Sequence, residues 1–196
     1  MGSIYLKELR SFFSSLTGYM VLVIFLLVTG LFTWVFSNSS ILQYNYASIG
    51  QLFIIAPLVF LFLIPAVTMQ SFADEKQKRT IEFLTTKPLT DFQIVGGKYL
   101  ACLSLVVMAV LPTLIYYYSV YQLGSPKGNI DSGSVIGSYV GLFFLASVFV
   151  AVGVFISSLT DNQIVAFIAS AFICFILYFA FSFISDLPVF LVSGMT

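Results

Sequence analysis

Five long apolar runs divide this chain, and one polar block interrupts them. The runs cover residues 19–36, 51–72, 98–118, 135–156 and 164–184. Each is close to the roughly 20 residues that a helix needs to cross the hydrocarbon core of a bilayer. They are continuous rather than alternating, which argues against a β-barrel. Ahead of the first run, residues 2–16 repeat at helical spacing. Tyr5, Leu9, Phe12, Phe13 and Leu16 fall on one face, and Ser3, Lys7, Arg10, Ser11 and Ser14 on the other. That pattern predicts an interfacial amphipathic helix, aromatics in lipid and cations toward phosphates. A secretory signal peptide is the rival reading. Residues 19–36 are too long for a typical signal core, and no clear small-residue cleavage site follows. The expected fold is an all-α polytopic membrane protein: one interfacial helix, then five transmembrane helices.

Composition agrees. The chain is 60% hydrophobic and 8% charged, against about a quarter charged in a soluble domain. Net charge is zero, so nothing suggests nucleic acid, which needs cations clustered on one face. Histidine is absent, which removes the commonest general base and metal ligand. Cys102 and Cys174 lie inside apolar runs, too few and too far apart for a disulfide framework or a metal site. Gly96-Gly97-Lys98 resembles the end of a phosphate loop, but Phe92 stands where the first glycine belongs and Tyr99 where Ser or Thr would bind magnesium. No catalytic, cofactor or metal site is predicted. The interiors of the runs lack Asp, Glu, Lys and Arg, which weakens a proton- or ion-coupled mechanism.

Smaller features refine the runs. Pro57 and Pro65 predict kinks in the second, and Pro112 in the third. Trp34 and the group Tyr116, Tyr117, Tyr118 and Tyr121 read as interfacial aromatics. Gly137 and Gly141 form a small-xxx-small pair that would admit a close helix. Lys7 and Arg10, with Lys76, Lys78, Arg79, Lys87 and Lys98, lie on one side of this topology, and only Lys127 on the other. The positive-inside rule then puts the N-terminus and the polar block in the cytoplasm. The tail 185–196 is too short for another span, and a longer protein is expected to add one.

The polar block, residues 74–91, is the one long hydrophilic stretch. Its start, Asp74-Glu75-Lys76-Gln77-Lys78-Arg79, predicts a charged extension of the second span. Thr80 is placed to cap a short helix over 81–86, and Pro88 to stop it. Ile81, Phe83 and Leu84 give that helix an apolar side suited to a groove on a soluble partner. A solvated loop resting on the membrane fits the same residues equally well.

Four segments carry a family resemblance along essentially the whole chain. They are Lys7-Glu8-Leu9 with Phe12-Phe13-Ser14-Ser15 and Gly18-Tyr19; Asp74-Glu75 followed by Thr80-Ile81-Glu82-Phe83-Leu84-Thr85-Thr86-Lys87-Pro88; Ile94-Val95-Gly96-Gly97-Lys98; and Ser157-Ser158-Leu159-Thr160-Asp161-Asn162-Gln163 with Ala166. Together they resemble the permease subunits of ABC-2-type transporters, most closely those associated with gliding motility. The resemblance implies a non-enzymatic transport subunit in a bacterial inner membrane, driven by a separate ATPase that holds the ATP and Mg. It implies a cytoplasmic coupling helix between spans two and three. The ATPase contact would involve Lys7, Arg10, Glu75, Arg79, Thr80, Glu82, Phe83 and Lys87. Implied partners are the ABC ATPase, a second permease subunit, an auxiliary membrane subunit with an extracytoplasmic domain, and membrane lipid. Two departures stand out: Arg79 replaces a glycine usual before the Thr-Ile-Glu run, and six spans are expected where five are seen. A secondary transporter or channel, and a structural anchor for a surface machine, are the alternatives.

Overall fold

The computed structural model describes residues 2–35, 49–78, 90–124 and 130–185. Seven α-helices make up these segments, and no strand occurs among the described residues. They are α1 (Gly2–Ser14), α2 (Leu16–Gly30, continuing as a π-helical turn over Leu31–Val35), α3 (Gly50–Gln77), α4 (Asp91–Val110), α5 (Leu114–Leu123), α6 (Ser132–Leu159) and α7 (Gln163–Ser185). A 3-10 turn at Leu111–Thr113 joins α4 to α5 and carries Pro112. Among the described residues, five stretches are long and apolar enough to cross a membrane: Gly18–Val35, Gly50–Gln77, Asp91–Leu123, Ser132–Leu159 and Gln163–Phe183. The polytopic all-helical architecture is therefore present.

The helix α3 is the axis of the bundle. It packs against α2, α4, α6 and α7. Of its most apolar stretch 61% is buried, against 17% for α7, which lies at the edge. Phe25 stacks on Phe60 with ring centroids 5.3 Å apart, and Ile64, Leu105, Val106 and Val150 fill the space around them. Hydroxyls in this interior are satisfied locally. Thr29 donates to the Phe25 carbonyl at 2.6 Å, Thr33 to Thr29 at 2.7 Å and Thr68 to Ile64 at 3.0 Å. A membrane helix must satisfy its polar groups in this way, because lipid offers none. The many large apolar side chains on the outside of α2, α6 and α7 then face a solvent as apolar as themselves.

One end of the bundle is aromatic. Ile49, Val120 and Val135 form a small second core flanked by Trp34, Phe53, Tyr117 and Tyr139. Asp131 caps α6 there, accepting from the N–H groups of Gly133 and Ser134 at 3.1 and 3.2 Å. The opposite end is charged. With 28 residues, α3 is about 42 Å long at 1.5 Å per residue. That exceeds a hydrocarbon core of about 30 Å, so its charged last turn can stand clear of the lipid tails.

Three expectations need correction. The buried side of α1 is Ile4, Glu8 and Phe12, whereas Leu16 is exposed; the helix packs on α4 and α2, and Glu8 has ionic partners there. The third apolar helix starts at Asp91, so Lys98 sits roughly two turns inside it and not at its mouth. A side chain at Gly137 or Gly141 would meet open space; the close approach between helices falls instead at Gly153, against Thr68 of α3.

Candidate functional site

The candidate site lies where α1, α3 and α4 meet at the charged end. Its centre is Lys98. This lysine is 1% exposed, and no water can solvate its ammonium, so the protein must supply the counter-charge. It does so from two helices. Lys98 Nζ lies 2.8 Å from Glu75 Oε2 on α3 and 3.2 Å from Glu8 Oε1 on α1. It also donates to the Ser71 carbonyl and stands 4.8 Å above the centre of the Phe72 ring. Lys7 closes the cluster from outside, 2.8 Å from Glu75 Oε1 and 3.4 Å from Glu8. Two lysines and two glutamates make the group electroneutral, the condition under which buried charges are tolerated.

Why these side chains converge follows from helical spacing. Ile4, Glu8 and Phe12 are four residues apart, so all three lie on the buried side of α1. Glu75 is in the last turn of α3, and Lys98 lies at the level of that turn on α4. The reversal from α1 to α2 needs one extended residue, Ser15. Gly18 lets the chain pass the Phe12 carbonyl: a Cβ there would stand 2.9 Å from the Phe12 carbonyl carbon. This fixes α1 across the ends of α3 and α4.

Partial burial lowers the pKa of Lys7, but its hydrogen bond to Glu75 and the charges of Glu8 and Glu75 outweigh that effect. The net result lies above the ordinary lysine value of 10.5.

A second polar group holds the other flank of the same turn. Lys76 donates to the Ser158 carbonyl at 2.7 Å and pairs with Asp161 at 3.2 Å. Gln163 donates to Asp74, which also pairs with Lys78 at 2.9 Å. Ser157, on α6, accepts from the backbone N–H groups of Phe72 and Ala73, both at 3.1 Å. The end of α3 is thus gripped by α1 and α4 on one side and by the α6–α7 turn on the other.

Residues 36–195 match the family described as ABC-2 family transporter protein. The chain belongs to the ABC-2 transporter family. It is the permease subunit of an ABC transporter, a multi-pass membrane protein and a transport subunit rather than a catalytic one. Membership implies an ABC ATPase partner. No curated protein and no solved structure matches the chain. The family match covers Glu75, Lys98 and Ser157 but not α1, so in this permease the junction with Lys7 and Glu8 rests on the geometry just described.

Of the residues expected at the ATPase contact, the permease brings Lys7 and Glu75 together and leaves Arg10 on the exposed side of α1. Arg79, Thr80, Glu82, Phe83 and Lys87, with the short helix expected over 81–86, lie outside the described residues. Glu8, Lys98 and Ser157 were not among those expected. A sequence signal that could have placed Lys98 is Thr90-Asp91 after Pro88, a helix start that puts it inside the span. Among the described residues no group of His, Cys, Asp and Glu could hold a metal ion.

Proposed function

We propose that this permease is the membrane subunit of an ATP-driven exporter in a bacterial inner membrane, with its charged end in the cytoplasm. The observation that carries this reading is the Lys7–Glu8–Glu75–Lys98 cluster, which ties the N-terminal helix to the last turn of α3. That turn is the start of the polar block. An ATPase engaging Lys7, Arg10 and Glu75 together with Arg79, Thr80, Glu82, Phe83 and Lys87 would push on α1 and α3 as one unit. The ATPase would supply ATP and Mg; this chain would supply the path, with a second permease subunit and an auxiliary membrane subunit completing it. The concentration of cations at this end supports the cytoplasmic placement. The residue pattern shared with gliding-motility permeases supports a role in that export.

Copurification tests the proposal. The permease is expressed with an ABC ATPase from the same organism and solubilised in mild detergent. The wild type is expected to retain the ATPase, and charge reversal at Glu82 and Lys87 to release it while the permease still inserts. Failure of the wild type to bind the ATPase under any nucleotide condition would favour a secondary transporter or channel. Unchanged assembly and transport in the reversal variant would favour a structural anchor.

A further inference from the structure

We infer that α3 contains a hinge at residues 69–73, in which the Ser157 hydroxyl serves as a removable rung of the helix. In an unbroken α-helix the N–H of residue 73 bonds the carbonyl of residue 69. Here a hydroxyl from another helix bridges those two groups. Ser157 Oγ accepts from Ala73 N–H at 3.1 Å and donates to the Met69 carbonyl at 3.2 Å. The same oxygen accepts from Phe72 N–H at 3.1 Å. A side chain inserted in the ladder is one of the few established causes of a helix bend.

The surroundings suit a hinge. Pro65 has no N–H, so it gives the Leu61 carbonyl no ladder donor. Thr68 bonds back to the Ile64 carbonyl at 3.0 Å, a contact that also bends helices. Gly153 lies one turn before Ser157 on α6 and packs against Thr68, where a Cβ would stand 2.8 Å from the Thr68 Cβ. This close approach brings the Ser157 hydroxyl within reach of the α3 backbone.

Both positions of the hinge leave the bridged groups paired. With the rung in place, the hydroxyl bridges Ala73 and Met69. With the rung withdrawn, Ala73 N–H bonds the Met69 carbonyl and Phe72 N–H the Thr68 carbonyl directly, and the hydroxyl turns to the carbonyl of Gly153 four residues back on its own helix. None of these bridged groups is stranded in either state, so the exchange avoids the penalty that normally locks a buried backbone. The moving part is the last turn of α3, which carries Asp74, Glu75 and Lys76. The hinge goes beyond the proposed function, because it belongs to the isolated chain and needs no ATPase.

Pulsed-EPR distances within α3 test it. Spin labels are attached at Phe62→Cys and Gln77→Cys, both exposed positions, in the full chain in nanodiscs. Cys102 and Cys174 are buried and remain in place. A straight helix puts the two Cα atoms about 22 Å apart. With Ser157 present, the distribution should be broad and include a component shorter than the straight-helix distance. Ser157→Ala should collapse it to a single, longer distance, and Ser157→Thr, which keeps the hydroxyl, should retain the wild-type distribution. Identical distributions for Ser157→Ala and the wild type would overturn the hinge. So would a threonine variant that behaves like alanine.

Discussion

The Lys98 ammonium lies 2.8 Å from Glu75, and the lysine is 1% exposed. A charge so placed is tolerated only while its partners remain. Replacing Lys98 by Met would leave Glu8 and Glu75 facing each other with Lys7 alone between them. Breaking a buried pair from one side costs about 3–5 kcal/mol. Lys98→Met should therefore lower the Tm of the purified protein sharply, read by tryptophan fluorescence on heating. Adding Glu8→Gln should recover part of the loss. No recovery, or no initial loss, would show that the cluster is not held by charge.

Lys7 should behave differently. Its side chain is 56% exposed, and exposed ion pairs contribute at most about 1 kcal/mol. Lys7→Gln should cost little, and added salt should shrink even that. The pH dependence has a definite sign. The folded pKa of Lys7 lies above the ordinary value of 10.5, so its contribution is complete below that value and is lost as pH rises through the folded pKa. A thermal-shift series on the alkaline side should show this decline in the wild type and a smaller one in Lys7→Gln.

Much of the fold was legible from apolar run length alone, since each span is a continuous stretch with few competitors. The centre of the site was not. Lys98 stands at the very start of the third apolar run in sequence, yet helix α4 carries it two turns deep. Glu8 could not be assigned because an acid on the buried side of a helix makes sense only once a lysine from elsewhere is seen to meet it. Ser157 is one serine among many, and its part depends on a backbone that the sequence places 84 residues away.

Gly153→Ala should separate α3 from α6. The added methyl would fall against Thr68, 2.8 Å from its Cβ and 3.0 Å from its Cγ2. Overpacking of this kind costs about 1–3 kcal/mol. Thr68→Ala removes the Oγ1 and Cγ2 contacts, so the double variant should regain part of the lost Tm. Additive losses in the double variant would refute the contact.

Asp161→Ala should be nearly silent in stability. Asp161 has an 84% exposed side chain, and Lys76 keeps its hydrogen bond to the Ser158 carbonyl. A change under about 1 kcal/mol is expected, in contrast to Lys98→Met at the other flank of the same turn.

Asp74, Glu75 and Lys76 are consecutive, yet they bind Gln163, Lys98 and Asp161 respectively. Neighbouring residues on a helix are turned about 100° from one another, so three directions around α3 are claimed by three different partners. The arrangement therefore fixes rotational phase. One residue inserted just before Asp74 would advance the sequence by that angle and bring Glu75 to face Asp161, acid against acid, while Asp74, a methylene shorter, would be left to reach for Lys98. The length of the chain between the core of α3 and its last turn is thus set to the single residue, and the turn itself tells the rest of the bundle how far α3 has been wound.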